Sequence, residues 1–181
     1  MNTISALRSV ALLLACLVLA PTAPAQAPSP MVRWSKQDTH SFEKDAPGYG
    51  FSIGYGSMAG QATVYVYSMG ITNWSNGITD PRLKNEVEGI VAGAREHQRR
   101  GSYSDLVFGE VSSTRFEDQD FWRIDFRGMR DGKAIRSGSL VGVRNGKLLK
   151  YRVTISPELG IALQEALAAI VKTSLADDPT R

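Results

Sequence analysis

The chain has 181 residues, a formal net charge of +3 and a charged fraction of 22%. This small excess of cations lacks the dense Lys and Arg clusters of nucleic-acid-binding proteins, so we expect no nucleic-acid partner. Cys16 is the only cysteine, which excludes an intramolecular disulfide.

The first 27 residues have the order of a secretory signal peptide. Arg8 precedes an apolar run from Val10 to Ala20, and small residues follow up to Ala27. The run is about half as long as a membrane-spanning helix requires. We therefore expect cleavage near Ala27, a mature chain without a transmembrane segment, and a periplasmic or secreted location. A retained anchor and lipid attachment at Cys16 are the alternatives.

The rest of the chain divides into three parts. Residues 28–47 mix proline, charge and isolated aromatics without a sustained period, which predicts a linker or one short strand. Residues 48–175 contain the periodic segments of a single domain. Residues 176–181 are predicted to form a disordered tail.

The glycine-rich stretch GYGFSIGYGSMAG, residues 48–60, predicts a strand rather than a phosphate-binding loop. Aromatic and aliphatic residues alternate with glycine and serine, which is the period of a strand. A phosphate loop needs a helix directly after its glycines, whereas the next segment alternates again. Residues 50–68 are therefore predicted to form a β-hairpin. Four of its side chains are expected to face one way, in the core or lining a groove for an apolar or sugar-like ligand: Phe51, Ile53, Tyr65 and Tyr67.

A helix, four strands and a second helix are predicted after the hairpin. Asp80 can cap the first helix, Pro81 fits its first turn, and apolar residues recur at helical spacing until Gly101. Period-two patterns then return in the segments DLVFGEVSST, FWRIDFRGM, AIRSGSLVGV and KLLKYRVTI. Ser156 and Pro157 begin the last helix. The predicted α+β fold is an antiparallel sheet of about six strands in β-β-α-β-β-β-β-α order, with the helices packed on it.

The two glycine-containing turns decide which side chains share a face of this sheet. Asn145-Gly146 predicts a two-residue type I′ turn, so that Leu140 faces Tyr151. At Asp131-Gly132 we prefer a three-residue turn with a bulge, because a two-residue turn would place the apolar stripe that begins at Trp122 on the face of the strand cations. With the bulge, one face carries Arg123, Asp125, Arg127, Ser137, Ser139, Lys150, Arg152 and Thr154.

The element order, the hairpin YGFSIGYGS…ATVYVYS and the long helix after TDPR resemble the PsbP-like fold over residues 48–175. That family includes an extrinsic subunit of the photosystem II oxygen-evolving complex and many small exported bacterial proteins. The resemblance implies an antiparallel sheet with helices packed against it, and a protein that binds or supports partners rather than catalysing a reaction. The resemblance lies in the order of the elements and in the general residue pattern of the strands and the helix, so no functional residue is carried over from the family.

The basic face supplies the candidate binding residues Arg123, Arg127, Lys150 and Arg152. Cations on rigid strands, with hydroxyl groups beside them, suit an anionic partner such as an acidic protein, a lipid headgroup or a polysaccharide. The alternative is a solvated face with cross-strand ion pairs through Asp125.

Residues for catalysis or metal binding are few. His40 and His97, the only histidines, lie in polar segments without a motif for nucleophilic catalysis. The acidic run of Glu117, Asp118 and Asp120 suits calcium or carboxylate chemistry, although it lacks the EF-hand pattern. We therefore expect an exported non-catalytic accessory or binding module without cofactor or metal. A carboxylate-dependent hydrolase and a calcium-binding domain are the alternatives.

Overall fold

The structure, a computed structural model, describes residues 32–180. The predicted signal peptide, including Cys16, lies outside the described residues. Neither helix of the described part is long and apolar enough to cross a membrane. The strands are β1 Ser35–Ser41, β2 Phe51–Ser57, β3 Gly60–Tyr67, β4 Ser104–Phe108, β5 Ser112–Phe116, β6 Gln119–Arg130, β7 Lys133–Arg144 and β8 Lys147–Ile155; the helices are α1 Leu83–Arg99 and α2 Leu163–Ala176.

All eight of these strands belong to one antiparallel sheet. Their order is β1-β2-β3-β8-β7-β6-β4, and β5 pairs with β6 on the edge that β4 also uses. The predicted α+β class, with helices packed on an antiparallel sheet, is confirmed. The sheet has more strands than predicted, because residues 35–41 form β1 and the segment predicted as one strand after Gly101 is divided into β4 and β5.

Helices cover both faces of the sheet. On one face, here called the α2 face, Ala166, Leu167 and Ile170 of α2 pack against buried residues such as Val64 and Tyr151. On the other, the α1 face, α1 lies over β4, β6 and β7. The sheet is therefore the middle layer of three, and its two faces bury separate apolar clusters.

The predicted bulge at Gly132 is wrong. Arg130 pairs with Lys133, so Asp131-Gly132 is a two-residue turn with positive φ at both residues (50° and 72°), as a type I′ turn requires. The bulge was inferred on the assumption that one face of the sheet is open to water. Because α1 covers that face, the apolar stripe that begins at Trp122 is buried there. The predicted pairing of Leu140 with Tyr151 is confirmed.

The glycine-rich strand forms the predicted hairpin, and its bare side accommodates a bulge in β1. The pairing of β1 with β2 shifts register between Lys36 and Thr39. A Cβ at Gly54 would lie 2.2 Å from Asp38 Oδ1, and one at Gly56 would lie 2.3 Å from Gln37 Nε2. The glycines therefore leave the space that the side chains of the bulge occupy.

An ion pair fixes the entry to α1. Asp80 is buried, and its carboxylate accepts hydrogen bonds from the backbone N–H of Arg82 at 3.1 Å and from Arg82 Nη2 at 2.5 Å. The same guanidinium lies 4.4 Å from the ring centroid of Trp74. Asp80 thus orders the turn before the helix, but its predicted role as the cap of α1 is wrong, because α1 begins at Leu83 and its N-cap residue, Arg82, has no side-chain cap. The helix ends before Gly101, as predicted.

The residues after α2 return to the β7–β8 turn. Thr180, in the predicted tail, is buried and accepts a hydrogen bond from Asn145 Nδ2 at 3.0 Å.

Candidate functional site

The predicted binding cations are divided between the two faces of the sheet. Arg123 and Arg127 lie on the α2 face, whereas Lys150 and Arg152 lie on the α1 face. The prediction that they share one face is wrong, because it depended on the bulge at Gly132. The prediction that four hairpin side chains face one way is also wrong. Phe51 pairs with Val66, so Tyr65 and Tyr67 lie on the face opposite Phe51 and Ile53.

The charge of Arg123 is compensated within the fold. Its Nη2 lies 2.6 Å from Asp125 Oδ2, and its Nη1 donates to Gln164 of α2. The solvated-face alternative predicted cross-strand pairs through Asp125, whereas this pair joins two residues of the same strand, β6. Arg127 is exposed near Arg136. Arg127 and Arg136 both border a cavity of about 400 Å³ on the α2 face, which Asp125 also lines.

Lys150 and Arg152 line a cleft beside α1. The helix packs over β4, β6 and β7 and leaves part of β3 and β8 uncovered next to it. Two adjoining cavities, of about 300 and 230 Å³, share Tyr65, His97 and Arg152. Polar side chains line the larger cavity: Gln61, Thr63, Ser102, Tyr103, Arg130 and Thr154. The smaller cavity is bounded by Gly89, Ile90, Gly93, Phe126, Ser139 and Lys150.

Arg152 has no carboxylate partner in the described part of the chain. Its Nη2 donates a hydrogen bond to Tyr103 Oη at 2.5 Å, and no Asp or Glu oxygen of residues 32–180 lies within ion-pair distance of the guanidinium. A guanidinium has five N–H donors in a fixed geometry, so one neutral acceptor leaves most of its capacity unused. Arg152 is half-buried, and its positive charge is not neutralised by the fold.

Lys150 is compensated more fully. Its Nζ lies 3.9 Å from Glu86 Oε2 and 5.2 and 5.3 Å from the ring centroids of Tyr65 and Tyr67. Burial lowers the pKa of Lys150; the nearby Glu86 opposes this shift and Arg152 adds to it. Burial also raises the pKa of Tyr67, whose hydroxyl donates to Glu86 and stays protonated. This end of the cleft is close to neutral, and the excess positive charge lies at Arg152.

Two glycines keep the helical wall of the cleft bare. Gly89 and Gly93 are one turn apart, and a Cβ at either would meet no atom within 4 Å. Glycine in a helix interior costs about 0.5–1 kcal/mol relative to alanine, and no neighbouring atom requires it here. The helix therefore gives up stability at two positions where a side chain would enter the cleft.

The acidic run lies away from this cleft. Glu117, Asp118 and Asp120 lie in and beside the β5–β6 turn, where Asp118 pairs with Arg144 at 3.1 Å and Asp120 pairs with Arg115 at 3.0 Å. The hydrogen bond from Arg144 lowers the pKa of Asp118, which opposes a role as a general acid. Within residues 32–180 no three His, Cys, Asp or Glu side chains group closely enough to hold a metal ion.

The two histidines have different surroundings. His40 lies on the exposed strand β1 and contacts the ring of Phe42. His97 lies at the cleft, with its ring centroid 5.7 Å from that of Tyr103.

The sequence interpretation did not identify Tyr103, Thr63 or Gln61 as site residues. A two-residue turn at Asp131-Gly132 would have placed Lys150 and Arg152 on the same face as Trp122, apart from Arg123 and Arg127. The pairing of β3 with β8, by contrast, has no local signal in the sequence.

The comparisons with known proteins add no relative. No protein-family model matches the chain, and no curated protein sequence matches it. The resemblance to the PsbP-like fold therefore stays a prediction from element order, and a functional proposal has to be argued from the cleft itself.

Proposed function

We propose that the protein is an exported, non-catalytic binding module, periplasmic or secreted, whose cleft beside α1 holds an anionic group of its ligand. The observation that carries this proposal is Arg152, a half-buried guanidinium with no carboxylate partner among residues 32–180. An anion in the cleft would supply the charged acceptor that these residues do not.

The location of Arg152 favours the cleft over the α2 face. Charge pairs on an open surface contribute about 0–1 kcal/mol, because water screens them and the side chains lose freedom. A cleft walled by a helix lowers the effective dielectric constant and strengthens the same attraction. On the α2 face, Arg123 already pairs with Asp125, and the same carboxylate lines the cavity that Arg127 and Arg136 border.

The arrangement of the carboxylates supports binding over catalysis. A carboxylate-dependent hydrolase needs acids that face a substrate cavity, whereas Asp118 and Asp120 pair with arginines in a turn. The carboxylate nearest Lys150, that of Glu86, accepts a hydrogen bond from Tyr67 and lies 3.9 Å from the amine. The binding module therefore needs fewer rearrangements than the enzyme.

The test is an amide NMR titration of the purified protein with sodium acetate and with sodium sulfate. We expect saturable shifts at Thr63, Tyr103 and Arg152 for at least one of these anions, and we expect Arg152→Gln to abolish them. Arg127→Gln, which removes a cation from the opposite face, is the matched control and should leave the shifts unchanged. Amide shifts of equal size on both faces of the sheet, or no shifts up to the highest anion concentration, would overturn the proposal.

A further inference from the structure

The lining of the cleft is more specific than a patch of positive charge. Thr63, Thr154, Gln61 and Ser102, which carry hydroxyl and amide groups, line the same cavity as Arg152, and Tyr65 lines both cavities. Hydroxyl and amide side chains both donate and accept hydrogen bonds, so they suit a ligand that carries hydroxyl groups. An aromatic face suits the apolar side of a ring.

The charge balance of the cleft favours a ligand with one negative charge. Lys150 is largely compensated by Glu86, and Arg130 at the mouth lies 3.7 Å from Asp131. Arg152 is then the cation without a carboxylate in this part of the described chain. The fork of a guanidinium matches the two oxygens of a carboxylate.

A phosphate group fits the same place less well. Phosphate is favoured by helix N-termini, where backbone N–H groups point at the anion. Here the cleft adjoins the opposite end of α1, since His97 lies in its last turn and Ser102 N donates to His97 O at 2.9 Å. The carbonyl end of a helix carries partial negative charge, which disfavours every anion and a phosphate dianion more than a carboxylate.

The size of the cleft sets a limit on the ligand. The larger cavity, of about 300 Å³, lies at the lower limit of the range of small-molecule sites, and the adjoining one, of about 230 Å³, lies below it. Because the exposed glycines Gly89 and Gly93 leave one wall open, a ligand seated here has a path by which further units can extend to solvent.

We infer that the cleft binds a sugar acid: a pyranose-sized ring with one carboxylate on Arg152, its hydroxyls on Thr63, Thr154 and Gln61, and its apolar face towards Tyr65. This inference rests on the proposed function. The sugar acid is either a free monosaccharide or the terminal unit of an acidic polysaccharide, since both present the same chemistry.

Isothermal titration calorimetry of the purified protein tests the inference with sodium glucuronate, glucose, acetate and inorganic phosphate. Glucuronate should bind at least about tenfold more tightly than each of the other three. Arg152→Gln should remove most of this affinity, and Arg127→Gln should leave it unchanged. Thr63→Val should weaken glucuronate binding several-fold, because it removes a hydrogen bond to a sugar hydroxyl. It should leave acetate binding unchanged, because acetate has no hydroxyl group.

The outcomes distinguish failure of the sugar-acid inference from failure of the proposed anion-binding function. If acetate or phosphate binds as tightly as glucuronate through Arg152, the sugar-acid inference is overturned and the anion-binding cleft stands. If none of the four binds at millimolar concentration, both fall. Arg152-dependent binding to phosphatidylglycerol vesicles without glucuronate binding also overturns the inference, in favour of a lipid headgroup.

A trigalacturonate titration distinguishes the two sources of the ligand. Tighter binding of the trimer than of galacturonate, its own monomer, assigns the cleft to the end of an acidic polysaccharide, whereas equal or weaker binding assigns it to a free sugar acid. Either result supports the inference, provided that Arg152→Gln abolishes the binding.

Discussion

Arg152 Nη2 and Tyr103 Oη, 49 residues apart in the chain, are joined by a hydrogen bond of 2.5 Å. It connects the loop that follows α1 to strand β8 and so ties one wall of the cleft to its floor. A hydrogen bond to a charged donor contributes about 1.5–3 kcal/mol when buried, and less when half-exposed.

Tyr103→Phe should lower the free energy of unfolding by about 1 kcal/mol, because it removes the acceptor from the Arg152 guanidinium. Urea denaturation of wild type, Tyr103→Phe, Arg152→Gln and the double variant gives the coupling energy. We expect the double variant to lose less stability than the sum of the single variants. Additive losses would show that the two side chains do not interact.

Gly93→Ala and Gly93→Leu should separate stability from binding. Both replace a glycine in the helix interior, so both should raise the free energy of unfolding by about 0.5–1 kcal/mol, a gain that thermal or urea unfolding measures. Gly93→Ala should retain anion binding, whereas Gly93→Leu fills the cavity and should lose it. Ala92→Leu, on the exposed side of α1, is the matched control for added bulk. Anion binding by Gly93→Leu equal to that of wild type would place the ligand elsewhere.

Asp80 should make the protein sensitive to acid. The hydrogen bond from Arg82 holds the pKa of Asp80 well below its usual range, so the folded state gains stability above the unfolded-state value of about 3.9. That gain is lost as the pH falls through the lower folded-state pKa. Urea denaturation at neutral and acid pH should show Asp80→Asn clearly less stable than wild type at neutral pH, with the difference shrinking below about pH 4. A difference that stays constant with pH would assign the role to packing rather than to charge.

Tyr151 should contribute to alkaline unfolding. Burial raises the pKa of Tyr151 to about 12, whereas an unfolded tyrosine ionises near 10. Between these values only the unfolded state releases the proton, so stability falls as the pH rises. Tyr151→Phe should reduce the slope of stability against pH in that interval. It also removes the hydrogen bond with Ser174 Oγ at 3.0 Å, which Ser174→Ala removes without removing the phenol. Equal slopes for Tyr151→Phe and wild type would contradict the assignment.

Local patterns predicted most elements but not every boundary or pairing. The hairpin of β2 and β3, the Asn145-Gly146 turn and the end of α1 before Gly101 follow from alternation and turn chemistry within short segments. The start of the last helix was predicted wrongly: Pro157–Leu159 form a separate 3₁₀ turn, and α2 begins only at Leu163. The Asp131-Gly132 turn was predicted wrongly, although its dipeptide favours the two-residue form. The error came from a global assumption, that one face of the sheet is wet, which local sequence cannot test.

The candidate site was predicted only in part for the same reason. Lys150 and Arg152 were identified from their strand, but a cleft exists only because β3 pairs with β8 and α1 leaves part of both strands uncovered. Tyr103 reaches Arg152 from the loop beyond Gly101, a contact between distant segments that has no periodic signature. The chemical types of the site residues could be predicted from the sequence, whereas the cleft that brings them together depends on tertiary packing.

The register shift in β1 also affects whether this edge strand can pair with another molecule of the protein. A regular outer strand presents a row of unpaired N–H and C=O groups that can template another chain. In β1 the register shift between Lys36 and Thr39 interrupts that row, and all seven side chains of the strand are exposed. Gly54 and Gly56 make this interruption sterically feasible by leaving room for the displaced residues. The glycine-rich hairpin therefore protects this margin of the sheet from intermolecular strand addition at high protein concentration.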